Sequence, residues 1–342
     1  MPDSVAELAE HALIERIHRR VAVTSPTVVV GIGDDAAVVE PERGALTVMT
    51  TDAMVEHVHF DRRYCPLDTV GHKVLAANLS DLAAMGATPR YALVSLALPS
   101  TLPLSELDAF LDGLVGAATR YRTTIVGGNI TRSGGPLFVD VTAVGSVRRR
   151  RVLRRDAVRA GDDLYVSGEV GGAAAGLASL QASSDPATGS ELCHRRYLQP
   201  DPRVTLGTQL GRNKAARACI DLSDGLADGI QQLAAASHVG FVINGNDIPV
   251  ASETRRWFEA TGVDPLTAAL IGGEDYELLF SAPSSRRRSI AAIGRLSDGI
   301  PLTRIGRATK DLSCILVRNG QEEPLPQGYE HFRESRLPVQ PE

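Results

Sequence analysis

Five short acidic motifs interrupt the apolar segments of this 342-residue chain. They lie at residues 31–35 (GIGDD), 50–52 (TTD), 78–81 (NLSD), 221–224 (DLSD) and 272–275 (GGED). A carboxylate beside apolar residues is costly unless it is paired or bound to a metal. Two carboxylates about 4 Å apart repel by roughly 4 kcal/mol at an effective dielectric of 20. Because carboxylate, hydroxyl and amide oxygens suit Mg²⁺, the pattern predicts a cleft where divalent cations bind phosphate groups.

Two of these motifs lie at element ends, where simpler interpretations compete with metal binding. Asp81 falls near the end of a predicted helix, where the helix dipole disfavours it by roughly 0.3–1 kcal/mol. A bound cation would offset that penalty, and a solvated, frayed helix end is the alternative. Ser223 or Asp224 can cap the next predicted helix. Asp221 has no such role, since it ends an apolar strand, where α/β proteins place ligands.

The glycine-rich motifs are open to more than one interpretation. Residues 31–36 match the dinucleotide pattern GxGxxA, but residues 36–40 predict a strand and no helix begins there. An acidic metal loop is favoured over a solvated hairpin turn. The motif at 272–275 is equally compatible with an ordinary acidic turn. The sequence Gly127-Gly128-Asn129 predicts a turn, or a backbone cradle for phosphate.

Several functional classes are disfavoured by composition and missing motifs. The chain has no P-loop, no HRD/DFG pair, no GxSxG elbow and no HExxH. Its four cysteines include no CxxC pair, which argues against structural zinc and a disulfide framework. A net charge of -5 disfavours nucleic-acid binding. The exception is residues 148–155, with six arginines. This run is interpreted as a solvated connection, one of whose arginines could bind a nucleotide phosphate through two hydrogen bonds, with RNA binding as the weaker alternative.

The amino-terminal residues and the hydropathy of the chain bear on its location. No run of about 18 apolar residues occurs, so we expect no membrane span. Residues 1–20 are charged and lack the apolar centre of a signal peptide, and we therefore expect a cytoplasmic protein.

The acidic motifs must be positioned by alternating strands and helices, which predicts two α/β domains, 1–148 and 149–342. Expected strands are 28–32, 36–40, 46–51, 91–98, 123–126, 137–147, 163–167, 218–222, a segment near 241, and 276–280. Expected helices are 5–20, 66–85, 103–120, an Ala-rich helix after 172, 202–216, 225–236, 253–260 and 285–293. Residues 181–190 are expected to form a loop.

Six segments together resemble the thiamine-monophosphate kinases. They are GIGDDAAVV, TTDAMVEHVHF, KVLAANLSDLAAMGATP, IVGGN, IDLSDGLADGI and GGEDYELLF, in this order along nearly the whole chain. The closing GYEHF resembles the end of that family. The resemblance implies an α/β (α+β type) fold of the aminoimidazole-ribonucleotide-synthetase kind, with mixed sheets flanked by helices, and a homodimer.

The resemblance also implies phosphorylation of thiamine monophosphate to thiamine diphosphate by ATP with several Mg²⁺ ions. Domain 1–148 would bind metal and ATP phosphates and dimerise, and domain 149–342 would complete the ATP and substrate cleft. The implied Mg²⁺ ligands are Asp35, Thr50, Thr51, Asp52, Asp81, Asn129, Asp221 and Asp224. The implied ATP contacts are Gly128, Asn129, Arg155 and Ser223, and the implied substrate contacts are His59, Glu274 and Tyr329. Catalysis would rest on Asp81, Asp224 and Arg155.

One position departs from the family pattern. Family members usually carry GGD where this chain has Gly127-Gly128-Asn129, so one metal site is expected to be weaker or missing. The remaining acids are intact, and we expect an active enzyme. The phosphate acceptor has a second pKa near 6 and is largely ionised at neutral pH. Charge neutralisation and in-line positioning can therefore supply most of the catalysis without a strong base.

Other functions remain as alternatives. A selenophosphate synthetase would need a reactive Cys or selenocysteine near the N-terminus, and no Cys precedes Cys65. A hydrogenase-maturation relative would be expected to end in Cys, whereas this chain ends in Glu342. Another ATP-dependent synthetase of the superfamily is a further alternative. A different class is a non-catalytic binder of thiamine phosphate or nucleotide.

Overall fold

Strands and helices alternate along the chain, and the computed structural model describes residues 3–21, 25–182 and 190–328. The strands are β1 (Val28–Val30), β2 (Val38–Val39), β3 (Leu46–Val55), β4 (Thr88–Pro99), β5 (Thr124–Ser133), β6 (Phe138–Val147), β7 (Asp163–Ser167), β8 (Ala218–Asp221), β9 (Gly240–Asn244), β10 (Leu278–Ala282), β11 (Leu302–Thr309), β12 (Cys314–Arg318) and β13 (Gln321–Pro324). The α-helices are α1 (Glu10–Val21), α2 (Leu67–Ala84), α3 (Leu104–Arg120), α4 (Gly172–Ala182), α5 (Glu191–Leu198), α6 (Val204–Arg212), α7 (Leu226–Ser237), α8 (Ser252–Ala260), α9 (Pro265–Ile271) and α10 (Arg287–Leu296). None of these helices is long and apolar enough to cross a membrane.

The chain divides into two compact units. Unit 1 runs to Leu153 and includes Leu198–Lys214, while unit 2 takes Arg154–Tyr197 and the chain from Ala215 onward. The segment that returns to unit 1 carries α6, which packs closely on α2. A Cβ added at Gly207 would lie 2.0 Å from the Ala83 carbonyl oxygen, so only glycine permits this approach. The domain boundary predicted at residue 148 does not include the return of Leu198–Lys214 to unit 1, because that return depends on packing between residues far apart along the chain.

Unit 1 is built on a four-stranded sheet of order β3-β6-β4-β5 and a two-stranded sheet β1-β2. Strands β4 and β5 are parallel, and the other pairs are antiparallel. Helix α2 packs on α3 and on this sheet, and Leu75, Leu79 and Leu82 are fully buried. One face of β3, β6 and β4 is therefore covered by helices.

Unit 2 is built on a seven-stranded sheet of order β13-β12-β9-β11-β7-β10-β8. Only β12 and β9 are parallel among its pairs in the described residues. Its core includes Ile220, Phe241 and Leu279, against which Leu226 and Ile230 of α7 pack. The mixed sheets flanked by helices confirm the expected α/β (α+β type) fold.

Several expected elements differ from the structure. The helix expected over 5–20 is wrong at its start, because Val5–Glu7 form a 3₁₀ turn and α1 begins at Glu10. The motif Gly127–Asn129 is not a turn, since it lies inside β5, where pairing with β4 holds it extended. The strand expected over 276–280 begins two residues later, and the helix expected over 202–216 is limited to α6.

The remaining differences concern segments with weak periodicity. Helices α5 and α9 and strands β11 to β13 were not expected from the sequence. Of the loop expected over 181–190, Gln181 and Ala182 instead end α4, Ser190 precedes α5, and residues 183–189 lie outside the described ranges.

Candidate functional site

Thr50 and Asp81 form the core of the acidic site in unit 1. Thr50 donates a hydrogen bond from Oγ1 to Oδ2 of Asp81, joining β3 to the last turn of α2. Asp52 lies two residues beyond Thr50 and therefore projects from the same face of the strand. Asp81 sits at the negative end of the α2 dipole, as the sequence predicts. The structure thus brings together Thr50, Asp81 and the face that carries Asp52.

Thr51 projects from the other face of β3. Its Oγ1 donates to Oδ1 of Asp140 at 3.0 Å and lies 3.2 Å from Thr142 Oγ1. Strand alternation therefore separates the Thr51 side chain from those of Thr50 and Asp52. Asp140 did not emerge from the sequence, although its place among alternating apolar residues of β6 was a usable signal.

Gly128 and Asn129 lie in β5 at the edge of the same sheet. Asn129 is exposed and pairs in register with Ser95 of β4, which in turn pairs with Asp140 of β6. Asn129 and Asp140 are therefore members of one cross-strand row.

Asp35 lies in an exposed loop between β1 and β2. Its backbone N–H donates to Oδ1 of Asp34 at 2.8 Å. Gly33 adopts a φ of 119°, and β2 follows instead of a helix. The exclusion of a dinucleotide-binding helix after this motif is confirmed.

His59 is oriented by the end of β3. Its Nδ1 accepts the Val55 N–H at 3.1 Å, and the ring is partly buried. The neighbouring His57 is mostly exposed and lies 3.2 Å from Asp61. Arg63, which hydrogen-bonds the Asp61 carboxylate, holds the pKa of Asp61 well below its usual range. Of the two histidines, His59 is the one held by the strand that carries Asp52.

The DLSD and GGED motifs meet in unit 2 through backbone hydrogen bonds. The Glu274 N–H donates to the Ser223 carbonyl at 2.7 Å, and the Tyr276 N–H donates to the Leu222 carbonyl at 3.0 Å. Asp221 is buried at the end of β8, opposite Leu278 of β10. The structure therefore places the predicted metal ligands Asp221 and Asp224 beside the predicted substrate contact Glu274.

Close packing and backbone strain shape this junction. A Cβ added at Gly273 would lie 2.4 Å from the Ser223 carbonyl oxygen, so the approach requires glycine. Glu274 and Tyr276 adopt positive φ angles of 67° and 50°, which non-glycine residues rarely do. Such strain is concentrated at functional sites in proteins. Ser223 Oγ also donates to Asp224 Oδ2 at 2.9 Å.

Arg155 lies beside α7. Its Nη1 donates to Gln232 Oε1 at 2.6 Å, and Gln232 in turn donates to Asp228 in the first turn of α7. A Cβ on Gly328, the last described residue, would lie 2.5 Å from the Cβ of Asp228 and 3.1 Å from the Asp224 carbonyl oxygen. Tyr329 lies outside the described residues.

Asp275 has a structural role that the sequence did not reveal. Its carboxylate is buried and accepts the N–H groups of Gly171 at 2.6 Å and Ala173 at 3.1 Å, at the start of α4. Burial raises the pKa of Asp275 from 3.8 to about 7, and nearby Glu277 adds to the effect, although the two N–H groups oppose it.

This buried carboxyl predicts a pH dependence of stability. Between pH 4 and pH 7 the folded chain binds more protons at Asp275 than the unfolded chain, so its contribution to stability falls as pH rises. We expect wild-type protein to lose at least about 1 kcal/mol relative to Asp275→Asn between pH 5 and pH 8. Urea unfolding of both proteins at each pH measures this difference. Parallel stability curves would contradict the prediction.

The donor set is compatible with Mg²⁺ but forms no all-acid cage. Among the described residues, no group of three or more His, Cys, Asp or Glu side chains is arranged to hold a metal ion. The Thr50–Asp81 pair and nearby Asp52 offer hydroxyl and carboxylate oxygens, the donors that Mg²⁺ prefers. Because Mg²⁺ usually binds through one or two carboxylates plus waters and substrate phosphates, this set fits it.

Comparison with known proteins places the chain among its relatives. The models for AIR synthase related protein match residues 33–147 (N-terminal domain) and 159–317 (C-terminal domain). Thiamine-monophosphate kinase of Escherichia coli (strain K12) is 37% identical over 329 residues, covering 94% of this chain and 98% of its own.

Two solved structures show the same similarity. Thiamine-monophosphate kinase from Stenotrophomonas maltophilia K279a is 38% identical, with a TM-score of 0.81, covering 92% of this chain and 98% of its own. AaThiL complexed with AMPPCP and TMP is 33% identical, with a TM-score of 0.75, covering 96% and 98%.

Proposed function

Because the chain belongs to the thiamine-monophosphate kinase family, we propose that it transfers the γ-phosphoryl group of ATP directly and in line to thiamine monophosphate, assisted by Mg²⁺. Thiamine-phosphate kinase activity itself follows from relatives that match the whole chain at 33–37% identity. AaThiL, complexed with AMPPCP and TMP, supports ATP and thiamine monophosphate as the two substrates. Beyond this activity, we propose that Mg²⁺ ions bind at the site, that the transfer is in line, and that the residues named below have the roles given.

The chemistry requires little from the protein beyond positioning and charge. The acceptor phosphate is largely ionised near neutral pH, so its oxygen can attack without a strong base. Bound Mg²⁺ would neutralise charge on the transferred group and its neighbours. In unit 1 we assign one Mg²⁺ site to Asp52, Asp81 and Thr50 on one face of the sheet, and further Mg²⁺ contacts to Thr51 and Asn129 on the other face and to Asp35 in its loop. Gly128 and Asn129 contact ATP, and His59 contacts the substrate.

In unit 2, the junction of DLSD and GGED is the observation that carries the proposal. Its backbone hydrogen bonds hold Asp221, Ser223 and Asp224, assigned to metal and ATP, beside Glu274, assigned to the substrate. Arg155 would bind an ATP phosphate, and its bond to Gln232 would exchange for that contact. Tyr329 is assigned to the substrate on the resemblance of GYEHF to the end of the family.

A direct product assay tests the proposal. The protein is incubated with ATP, Mg²⁺ and thiamine monophosphate, and thiamine diphosphate and ADP are quantified by chromatography. We expect equal amounts of both products and no product when Mg²⁺ is chelated. Binding of both substrates without thiamine diphosphate would instead favour the non-catalytic binder.

Asn129 provides a test of the metal assignment. Replacement by Asp should lower the Mg²⁺ concentration for half-maximal activity by about three- to tenfold, because a charged oxygen binds the ion more strongly than an amide. Ser95→Asp is the matched control, since it adds the same charge at the register partner on β4. Equal shifts in both variants would show a general charge effect and remove Asn129 from the ligand set.

The homodimer is part of the proposal and is supported by exposed apolar side chains on one face of the unit 1 sheet, beyond the part where Tyr91 contacts the segments beside β1 and β2. Met49 is 69% exposed and Leu93 40% exposed, both on the face that carries Thr51. Analytical ultracentrifugation of wild type and Met49→Glu should show a dimer that the charge weakens. Monomeric wild-type protein at micromolar concentration would contradict it. A cytoplasmic location and the absence of nucleic-acid binding stay predictions.

A further inference from the structure

A small polar pocket in unit 1 gathers arginines from two distant parts of the chain. Its volume is about 260 Å³. Arg148 and Arg151 follow β6, and Arg212 ends α6. Further hydrogen-bonding side chains in its lining are those of Thr88, Thr208 and Gln209. None of these residues belongs to the predicted phosphoryl-transfer set.

The charges of this pocket are unbalanced. No salt bridge within 4.0 Å joins Arg148, Arg151 or Arg212 to an acid among the described residues, although Arg148 attracts the Glu42 carboxylate at longer range. The acid in the lining, Glu42, already accepts a hydrogen bond from Ser146 at 2.6 Å and pairs with Arg90. The hydrogen bond from the Ser146 hydroxyl, and to a lesser extent that from Arg90, holds the pKa of Glu42 below its usual range. The Glu42 carboxylate is therefore charged, and Ser146 and Arg90 already bind it.

The backbone that carries these arginines is held in place by packing. The Arg151 N–H donates to the Arg148 carbonyl at 2.7 Å and closes a 3₁₀ turn. The Arg151 carbonyl is packed against α6, because a Cβ on Gly211 would lie 2.4 Å from it. The next anchor is Leu153, whose N–H donates to the Met85 carbonyl at 3.2 Å. The arginines are therefore presented from fixed backbone positions.

We propose that this pocket binds a small phosphate-bearing anion. Guanidinium groups match phosphate oxygens in paired hydrogen bonds, and the Thr88 hydroxyl and the Gln209 side-chain NH₂ can complete the ligand shell. The Thr208 hydroxyl donates instead to the Thr205 carbonyl at 2.9 Å. The volume lies below the roughly 300 Å³ at which pockets for drug-sized ligands begin. A phosphate or diphosphate group fits this size and charge better than a whole nucleotide.

The test uses inorganic phosphate and inorganic diphosphate as probes, titrated calorimetrically into the full-length protein without Mg²⁺. Replacing both Arg148 and Arg212 by Ala should weaken binding of at least one probe tenfold or more. Arg149→Ala with Arg150→Ala is the matched control, because these exposed arginines belong to the same run but do not line the pocket. The control pair should stay within twofold of wild type.

Three outcomes would overturn the proposal. One is no binding of either probe at 10 mM, roughly the weak limit of a useful phosphate site. Another is an equal loss of affinity in the two double variants. The third is a single-stranded RNA oligonucleotide that binds more tightly than either probe and loses affinity equally in both double variants, which would assign the run to RNA. Thermal unfolding of each variant within a few degrees of wild type verifies the fold.

Discussion

Asp81→Asn is expected to reduce the turnover of thiamine monophosphate phosphorylation by about a hundredfold or more, as loss of one group that stabilises transition-state charge does in other enzymes. The asparagine has the same shape but no charge. Asp81 lies at the negative end of α2 and accepts the Thr50 hydroxyl, and a bound cation would offset the unfavourable interaction of its carboxylate with the helix dipole. The measurement is kcat at saturating ATP, substrate and Mg²⁺.

The control for Asp81 is Asp68→Asn. Asp68 is an exposed acid in the first turn of the same helix, α2, and belongs to none of the assigned site residues. We expect Asp68→Asn to retain turnover within about threefold, and both variants to unfold at nearly the wild-type temperature. Unchanged turnover in Asp81→Asn would refute its metal role. Equal losses in both variants would mean that the effect does not depend on where along α2 the charge is removed.

Gly273→Ala is expected to have the second largest effect, because it disrupts the contact between the DLSD and GGED motifs. The new methyl would lie 2.4 Å from the Ser223 carbonyl oxygen, which already accepts the Glu274 N–H at 2.7 Å. Overpacking of this kind destabilises a protein by about 1–3 kcal/mol. Displacing Glu274 from Asp224 by about 1 Å should lower kcat/KM for thiamine monophosphate by roughly a hundredfold.

Gly116→Ala is the matched control for Gly273. It lies in α3, and a Cβ there would meet no atom within 4 Å. Because alanine favours a helix by up to about 1 kcal/mol over glycine, this variant should be as stable as wild type or slightly more so. Stability is measured by urea unfolding, and activity is measured by the direct product assay. Full activity in Gly273→Ala would show that the junction does not position the substrate.

Much of the fold follows from local pattern. The β-branched runs, the long apolar segment before Gly86 and the strand before Asp221 predict β3, α2 and β8 because side-chain periodicity and element ends are local properties. The acidic motifs also predicted oxygen ligands for phosphate-bound cations. The run of arginines at 148–155 is evident in the sequence, but the sequence does not indicate that Arg212 lines the same pocket.

The sequence by itself determined most of the element types, the family and the chemistry of the acids. Only the tertiary structure decided which groups meet: Thr50 with Asp81, Thr51 with Asp140, and the DLSD motif with GGED. These contacts join residues that are far apart along the chain, and they depend on sheet register and on close backbone approach. Successive side chains of a strand point to opposite faces of the sheet, so the Thr50 and Thr51 side chains have different neighbours although the two residues are of the same type.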